Sequence, residues 1–305
     1  MTWQEKVKQL LEEGKFAKAS DVFAFSVPNS SYVQKMQFGD KMYRYKAYKE
    51  ATYWYEECIG TPIEQDYYYL TETGCKETDL DEKILSKIVQ GDKLFETGRY
   101  KQAAEFYFAA ARESWYAMTK LAECFFLMKN YTMAKEWYRQ QVQETDDGYI
   151  MFMLGECYMH EMSNEYAYEH AAYWYQYALD HGNTYVYYPL GLAYQFGHGV
   201  EQDLKRAEEL YEEGTKYAID RDNCYCKLGN FCYERGEYEQ AREYYGKAAV
   251  MNNARSLLNM AIGYFNRDLR MDKSMAACLL AKSAALGNER AKELFYSLKK
   301  DGKLL

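Results

Sequence analysis

Small residues and aromatic rings recur at fixed distances along the chain, inside stretches whose apolar positions follow a helical period. In LGNFCYERGEYEQAREYYGKAA, Gly229 is followed by Gly236, Tyr238, Ala241, Tyr245 and Ala248. The same order returns as Gly39, Tyr48, Ala51, Tyr55, as Gly91, Gly98, Tyr100, Ala103, Tyr107, Ala110, and as Ala122, Tyr131, Ala134, Tyr138. A weaker copy opens the chain, with Val7 at the small position before Gly14, Phe16, Ala19 and Phe23. Residues at i, i+3, i+4 and i+7 share one helical face, and a glycine or alanine opposite a ring lets two antiparallel helices close up around it. Each copy therefore predicts a helical hairpin. One hairpin cannot bury its own apolar face, so consecutive hairpins must stack.

In three further copies the step from the small residue to the later alanine is 16 instead of 12: Gly155 to Ala171, Gly191 to Ala207 and Ala261 to Ala277. Four residues have entered the turn between the helices. The shorter copies resemble the tetratricopeptide repeat. The longer ones resemble its relative, the Sel1-like repeat, most plainly in LGLAYQFGHGVEQDLKRAEELY, with Leu190, Gly191, Tyr194, Gly197, Gly199, Asp203, Ala207 and Tyr211. The resemblance implies an all-α, right-handed α-solenoid with a concave and a convex surface. Eight hairpins account for the chain from Trp3 to about Leu286, and NERAKELFYSLKK predicts a final capping helix. The expected organisation is a single solenoid over 1–305.

Two departures interrupt the pattern. Small positions follow one another at 31 to 38 residues except between Gly39 and Gly91, where the step is 52. The surplus is PIEQDYYYLTETGCKETDLDE, Pro62 to Glu82, which reads as an inserted loop. Pro189 stands early in the first helix of the sixth hairpin and removes an amide donor there, which predicts a late start or a kink.

Composition narrows the function. A net charge of −8 disfavours a broad phosphate-binding surface, so nucleic acid is not expected as a partner. The start lacks a signal-peptide pattern and no long uncharged apolar run occurs, which predicts a cytoplasmic chain without membrane contact. The eight cysteines are scattered, as reduced thiols would be. No phosphate-cradling loop, HExxH, GxSxG or GxGxxG-after-strand motif occurs, and no cofactor is expected. Cys224, Cys226 and Cys232 fall in a predicted helix where residues two apart point to different sides, and they read as packed thiols. His160 and His170 flank a turn with Glu161 and Glu169 beside them, but no nucleophile accompanies them. Thirteen of the 34 tyrosines hold repeat positions; the other twenty-one are enough to furnish a binding surface.

In the tetratricopeptide family the first helix of each hairpin lines the concave groove, at six and three positions before the small residue and one and four after it. Carried over residue by residue, that rule places Asp40, Asp92, Glu123 and Glu156 in an acidic row beside Tyr43, Phe95, Phe126 and Met159. Tyr149, Phe152, Tyr185 and Tyr188, with Tyr116, extend the aromatic surface. The family's chaperone-tail receptors use lysines and asparagines here, so their carboxylate clamp does not transfer. The expectation is a non-enzymatic interaction scaffold that holds a protein or peptide segment with basic and apolar residues in its groove. The alternative is a sensor for a peptide or small ligand that transmits binding as a change of superhelical shape. The chain's own tail, with Lys299, Lys300, Lys303, Leu304 and Leu305, has the basic and apolar character of such a segment, which makes self-association an expectation as well.

Overall fold

The repeated stretches are helical in the computed structural model, which describes residues 3–27, 32–59, 82–161, 165–266 and 273–303. The first hairpin pairs α1 (Trp3–Glu12) with α2 (Phe16–Ser26), the second α3 (Tyr32–Arg44) with α4 (Tyr48–Glu56), and the third α5 (Glu82–Glu96) with α6 (Tyr100–Phe108). The fourth pairs α7 (Trp115–Leu127) with α8 (Tyr131–Val142), the fifth α9 (Gly148–Glu161) with α10 (Glu165–Asp180), and the sixth α11 (Tyr187–Phe196) with α12 (Leu204–Tyr217). The seventh and eighth are α13 (Arg221–Glu234) with α14 (Tyr238–Val250) and α15 (Ala254–Phe265) with α16 (Lys273–Ala285), and α17 (Glu289–Lys300) follows. No strand occurs among the described residues. The insertion expected at 62–82 lies outside them, except for Glu82, which opens α5.

The recurrent glycine is explained by one contact. A Cβ at Gly39, Gly91, Gly155, Gly191 or Gly229 would lie 2.5 to 2.7 Å from the ring of Tyr55, Tyr107, Tyr175, Tyr211 or Tyr245 on the second helix. Those rings are fully buried, so the hairpin closes only where the first helix carries no side chain. The glycine-rich turn of the sixth hairpin has a different reason. Gly199 has φ +71° and its backbone presses on the Tyr168 carbonyl of α10, where a Cβ would sit 2.1 Å from the oxygen. Side-chain caps fix several helix starts, as at Ser114, whose Oγ accepts from the Ala117 amide at 3.0 Å, and at Asn288, whose Oδ1 accepts from the Ala291 amide at 3.0 Å.

Pro189 has the predicted effect. The helices α7 and α9 begin seven residues before their small position, whereas α11 begins four before Gly191, with Val186 as its N-cap and Pro189 in the first turn. Proline sits there without loss, because that amide has no partner inside the helix. Tyr185 consequently precedes the helix, its amide bonded to Asn183 Oδ1 at 2.9 Å.

The helices group into two compact units, Asp66–Arg221 and the combination of Met1–Gln65 with Asp222–Leu305. In the first of these, α5 to α12 stack hairpin on hairpin around the buried Tyr107, Tyr138 and Tyr175. The other unit joins the two ends of the repeat series: α4 of the second hairpin packs along α16 of the eighth. Ala51, Tyr55 and Cys58 share one core there with Ala277, Cys278 and Ala281. Phe23, Phe38 and Trp54 add an aromatic cluster, with the two phenylalanines stacked at 4.0 Å and the indole edge-on to both. Packed on α16, α17 buries Ala291 and Phe295.

Candidate functional site

The acids one step beyond the small positions are held by tyrosine hydroxyls. Tyr55 donates to Asp40 Oδ1 at 2.7 Å, Tyr107 to Asp92 Oδ1 at 2.7 Å and Tyr175 to Glu156 Oε1 at 2.5 Å. These are the same tyrosines that fill the glycine gap, so one side chain packs the hairpin with its ring and fixes the acid with its hydroxyl. Burial pushes all three phenols far above their ordinary value, and they stay donors throughout the working pH range. In the seventh hairpin an amide takes the acid's place, Tyr245 donating to Asn230 at 2.8 Å; in the sixth, where Leu192 follows Gly191, Tyr211 donates instead to Gln195, one turn further along the helix, at 2.9 Å.

A second donor reaches most of these acids. Tyr116 of α7 donates to Asp92 at 2.9 Å, and Tyr149 of α9 donates to Glu123 Oε1 at 3.0 Å. In both cases a tyrosine six residues before the next small position reaches back to the preceding acid. Glu123 also takes Lys120 Nζ at 2.8 Å, and Lys120 lies 4.9 Å from the centre of the Phe95 ring. Burial pushes the Glu123 carboxyl up, while the charge and hydrogen bond of Lys120 and then Tyr149 oppose it. Asp40 receives Lys282 Nζ of α16 at 2.5 Å, with the ammonium 5.6 Å from the Tyr55 ring centre. Glu156 differs. Its hydrogen bond is the one from Tyr175, and Oε2 faces His160 Nε2 at 3.7 Å, beyond hydrogen-bond length. Burial pushes its carboxyl up to about 7 despite the Tyr175 bond, and Asp220 adds to the rise.

The rings four steps beyond the small positions also repeat one contact. Tyr43 packs on Tyr48, Phe95 on Tyr100, Phe126 on Tyr131 and Tyr233 on Tyr238, with centroids 5.3 to 5.4 Å apart. Each ring is left half-buried. Of the twelve residues assigned to the groove by sequence, Asp40 and Tyr43 belong to the unit that joins the chain ends, and the other ten to the 66–221 unit. Glu123 is 0% exposed and Phe152 4%, so these two support the face from beneath. Asp92, Phe95, Phe126, Tyr149, Glu156, Met159, Tyr185 and Tyr188 are half-buried on α5, α7, α9 and α11 or just before α11.

The remaining candidates are accounted for by packing. His160 stacks on Tyr131 at 5.0 Å and His170 on Tyr158 at 4.8 Å. Cys224, Cys226 and Cys232 are buried thiols of α13, and no group of three or more His, Cys, Asp or Glu side chains fit to hold a metal ion occurs among the described residues. Lys299 of the basic tail pairs with Glu56 of α4 within its own unit. No helix among the described residues is long and apolar enough to cross a membrane. Sequence reasoning misses that the acidic row and the repeat tyrosines are one device. The signal is the constant step of 16, or 20 in the longer copies, from the small residue to the tyrosine, with an acid or amide beside the former in each of these copies except the sixth, where Leu192 follows Gly191.

The sequence matches no protein-family model and no curated protein. Solved structures share the fold. A Sel1 repeat protein from Oxalobacter formigenes is similar with a TM-score of 0.56 at 20% identity, over 72% of this chain and 90% of that one. The antigen c5321 of uropathogenic Escherichia coli, which displays an SLR fold, reaches 0.53 at 19% identity over 98% of this chain and 67% of its own. PilF of Pseudomonas aeruginosa reaches 0.55 at 22% identity over 71% and 98%. By fold the chain is an all-α solenoid of helical hairpins, similar to these Sel1-repeat structures.

Proposed function

We propose that the chain is a non-enzymatic scaffold that holds a protein segment against the first-helix face of its 66–221 unit. The observation that carries this reading is the repetition of one half-buried ring and one fixed acceptor on successive first helices. Rings held in place by Tyr100 and Tyr131 offer apolar area at little entropic cost, and acceptors already bonded to tyrosine need no rearrangement before a partner arrives. Phe95, Phe126, Met159, Tyr185 and Tyr188 are the contact residues in this reading, and Asp92 and Glu156 set its preference for a basic segment. A second copy's lysine-rich tail fits the same description, but Lys299 must first leave Glu56.

The test is photocrosslinking from the full chain in extract of its native cell. A photoreactive phenylalanine in place of Met159 or Tyr188 should trap a protein partner, whereas one in place of Tyr173, exposed on α10, should not. Crosslinks from Tyr173 with none from Met159 or Tyr188 would move the interface to the second helices.

A further inference from the structure

The four acids of the row differ in how many donors reach them, and the difference has a structural cause. Asp40, Asp92 and Glu123 each receive two: Tyr55 and Lys282, Tyr107 and Tyr116, Lys120 and Tyr149. Glu156 receives Tyr175 alone among the described residues. By repeat position its second donor should be Tyr185, the counterpart of Tyr116 and Tyr149, six residues before Gly191. Pro189 delays the start of α11, Tyr185 falls outside the helix, and its ring lies instead against Phe152 at 5.7 Å and Tyr149 at 6.4 Å. The side chain of Glu156 is 24% exposed, the same as that of Asp40, so it is partly open to a group arriving from outside.

We propose that Glu156 is a lysine-accepting subsite, at which a partner segment delivers an ammonium group to Oε2. The chain itself contains a related arrangement: Lys282 reaches Asp40 Oδ1, the oxygen that the Tyr55 hydroxyl also holds, and lies over that tyrosine's ring. An ammonium at Glu156 brings together the same three groups, acid, tyrosine and lysine, here through the carboxylate's second oxygen, and a charge-assisted bond is the strongest way to satisfy a half-buried carboxylate. The groups facing the carboxylate are Tyr175 from α10, His160 on its own helix and Asp220 beyond α12. Only His160 among them can carry a positive charge, and burial lowers its pKa, which leaves the place to an incoming cation at pH 8. The inference rests on the scaffold reading, because it names the chemistry that one position of the proposed face selects.

The probe is n-butylammonium chloride, a lysine side chain without its backbone, with n-butanol as the uncharged control. Carbon-13 NMR of the glutamate carboxyls of the full chain at pH 8 should show a saturable shift of the Glu156 resonance with n-butylammonium, and none with n-butanol. In Glu156→Gln the saturable response, followed through the ring signals of Tyr175, should weaken roughly tenfold. An equal response to butanol, or an undiminished one in Glu156→Gln, overturns the subsite. The two readings fail separately. If crosslinks form from Met159 and Tyr188 but butylammonium does not bind at Glu156, the scaffold stands without a lysine subsite. If butylammonium binds at Glu156 while partners crosslink only from Tyr173, the subsite stands and the scaffold face is wrong.

Discussion

The fourth and fifth hairpins carry a glutamate at the same repeat position and place it in opposite electrical situations. Glu123 is wholly buried, with an ammonium at 2.8 Å and a phenol at 3.0 Å. Glu156 is half-buried, has one phenol at 2.5 Å, and keeps a carboxyl that titrates at about 7. Neither glutamate determines this by itself. Lys120 stands three residues before Glu123 on the same helix face, and α9 starts early enough to bring Tyr149 back over it. Nothing equivalent precedes Glu156, and the proline of the next hairpin withholds the second tyrosine. The repeat position supplies an acceptor, and its neighbours decide whether it is a finished core group or an open one.

The largest effect should come from breaking the finished site. Lys120→Met leaves Glu123 buried beside Tyr149 alone, and removing one partner of a buried ion pair costs about 3–5 kcal/mol. Urea unfolding at pH 7 should show that loss, and it should shrink toward pH 4, where Glu123 takes up a proton. Lys120→Met combined with Glu123→Gln should regain most of it, since a neutral amide still accepts from Tyr149. A cost below about 1 kcal/mol in the single variant would mean that the ion pair contributes nothing to the contrast.

The open site should reveal itself through pH. Folded Glu156 holds its proton up to about 7, against 4.5 for an ordinary glutamate carboxyl such as the unfolded chain presents. Between those values the folded state binds more protons, so this group's contribution to stability falls as pH rises from about 4.5 through 7. Glu156→Gln removes the dependence and keeps an acceptor for Tyr175. Relative to the unaltered chain it should gain about 2 kcal/mol between pH 5 and pH 8 in urea midpoints. Parallel pH curves for the two proteins would remove the electrical difference between the hairpins.

A smaller effect tests the packing side of the same pair. The fifth hairpin has Gly155, where a Cβ would lie 2.7 Å from the Tyr175 ring, whereas the fourth has Ala122 at that place. Gly155→Ala should cost about 1–2 kcal/mol through overpacking, even after the helix gains propensity from alanine. Ala122→Gly should cost about 1 kcal/mol for the opposite reason, lost propensity and a small void. A gain in the thermal midpoint for Gly155→Ala would mean that the ring can retreat, and the glycine would need another explanation.

Much of this contrast is legible in the residues themselves. The hairpins, their boundaries and the delayed α11 follow from Gly–Tyr spacing and from Pro189, because each reports a contact or constraint local in sequence. The pairing of Lys120 with Glu123 is spelled out in KLAE but is easily passed over when the acids are treated as one exposed row. The joint between α4 and α16 cannot be read from the chain at all. It brings Lys282 to Asp40 across most of the sequence, and periodicity says nothing of which hairpin ends meet. The tyrosine donors that reach Asp92 and Glu123 from the following hairpin are hidden for a related reason, since they depend on how far each next helix reaches back.

The smallest expected effect is also the sharpest check on what the repeat tyrosines do. Tyr138 occupies the repeat position of Tyr175 and is equally buried, yet its hydroxyl has no hydrogen-bond partner among the described residues. The acid it would meet, Glu123, is already bonded to Lys120 and Tyr149, and Ala122 stands where the other hairpin has glycine. An unsatisfied buried hydroxyl costs free energy that its removal returns, whereas removing a satisfied donor leaves its acceptor bare. Tyr138→Phe should therefore be neutral or stabilising by up to about 1 kcal/mol, while Tyr175→Phe should lose about 1–3 kcal/mol, as read from urea midpoints at pH 8. Equal losses in the two variants would show that the hydroxyl of Tyr138 is satisfied after all, and that the fourth hairpin does not depart from the fifth in the way its acid, lysine and alanine imply.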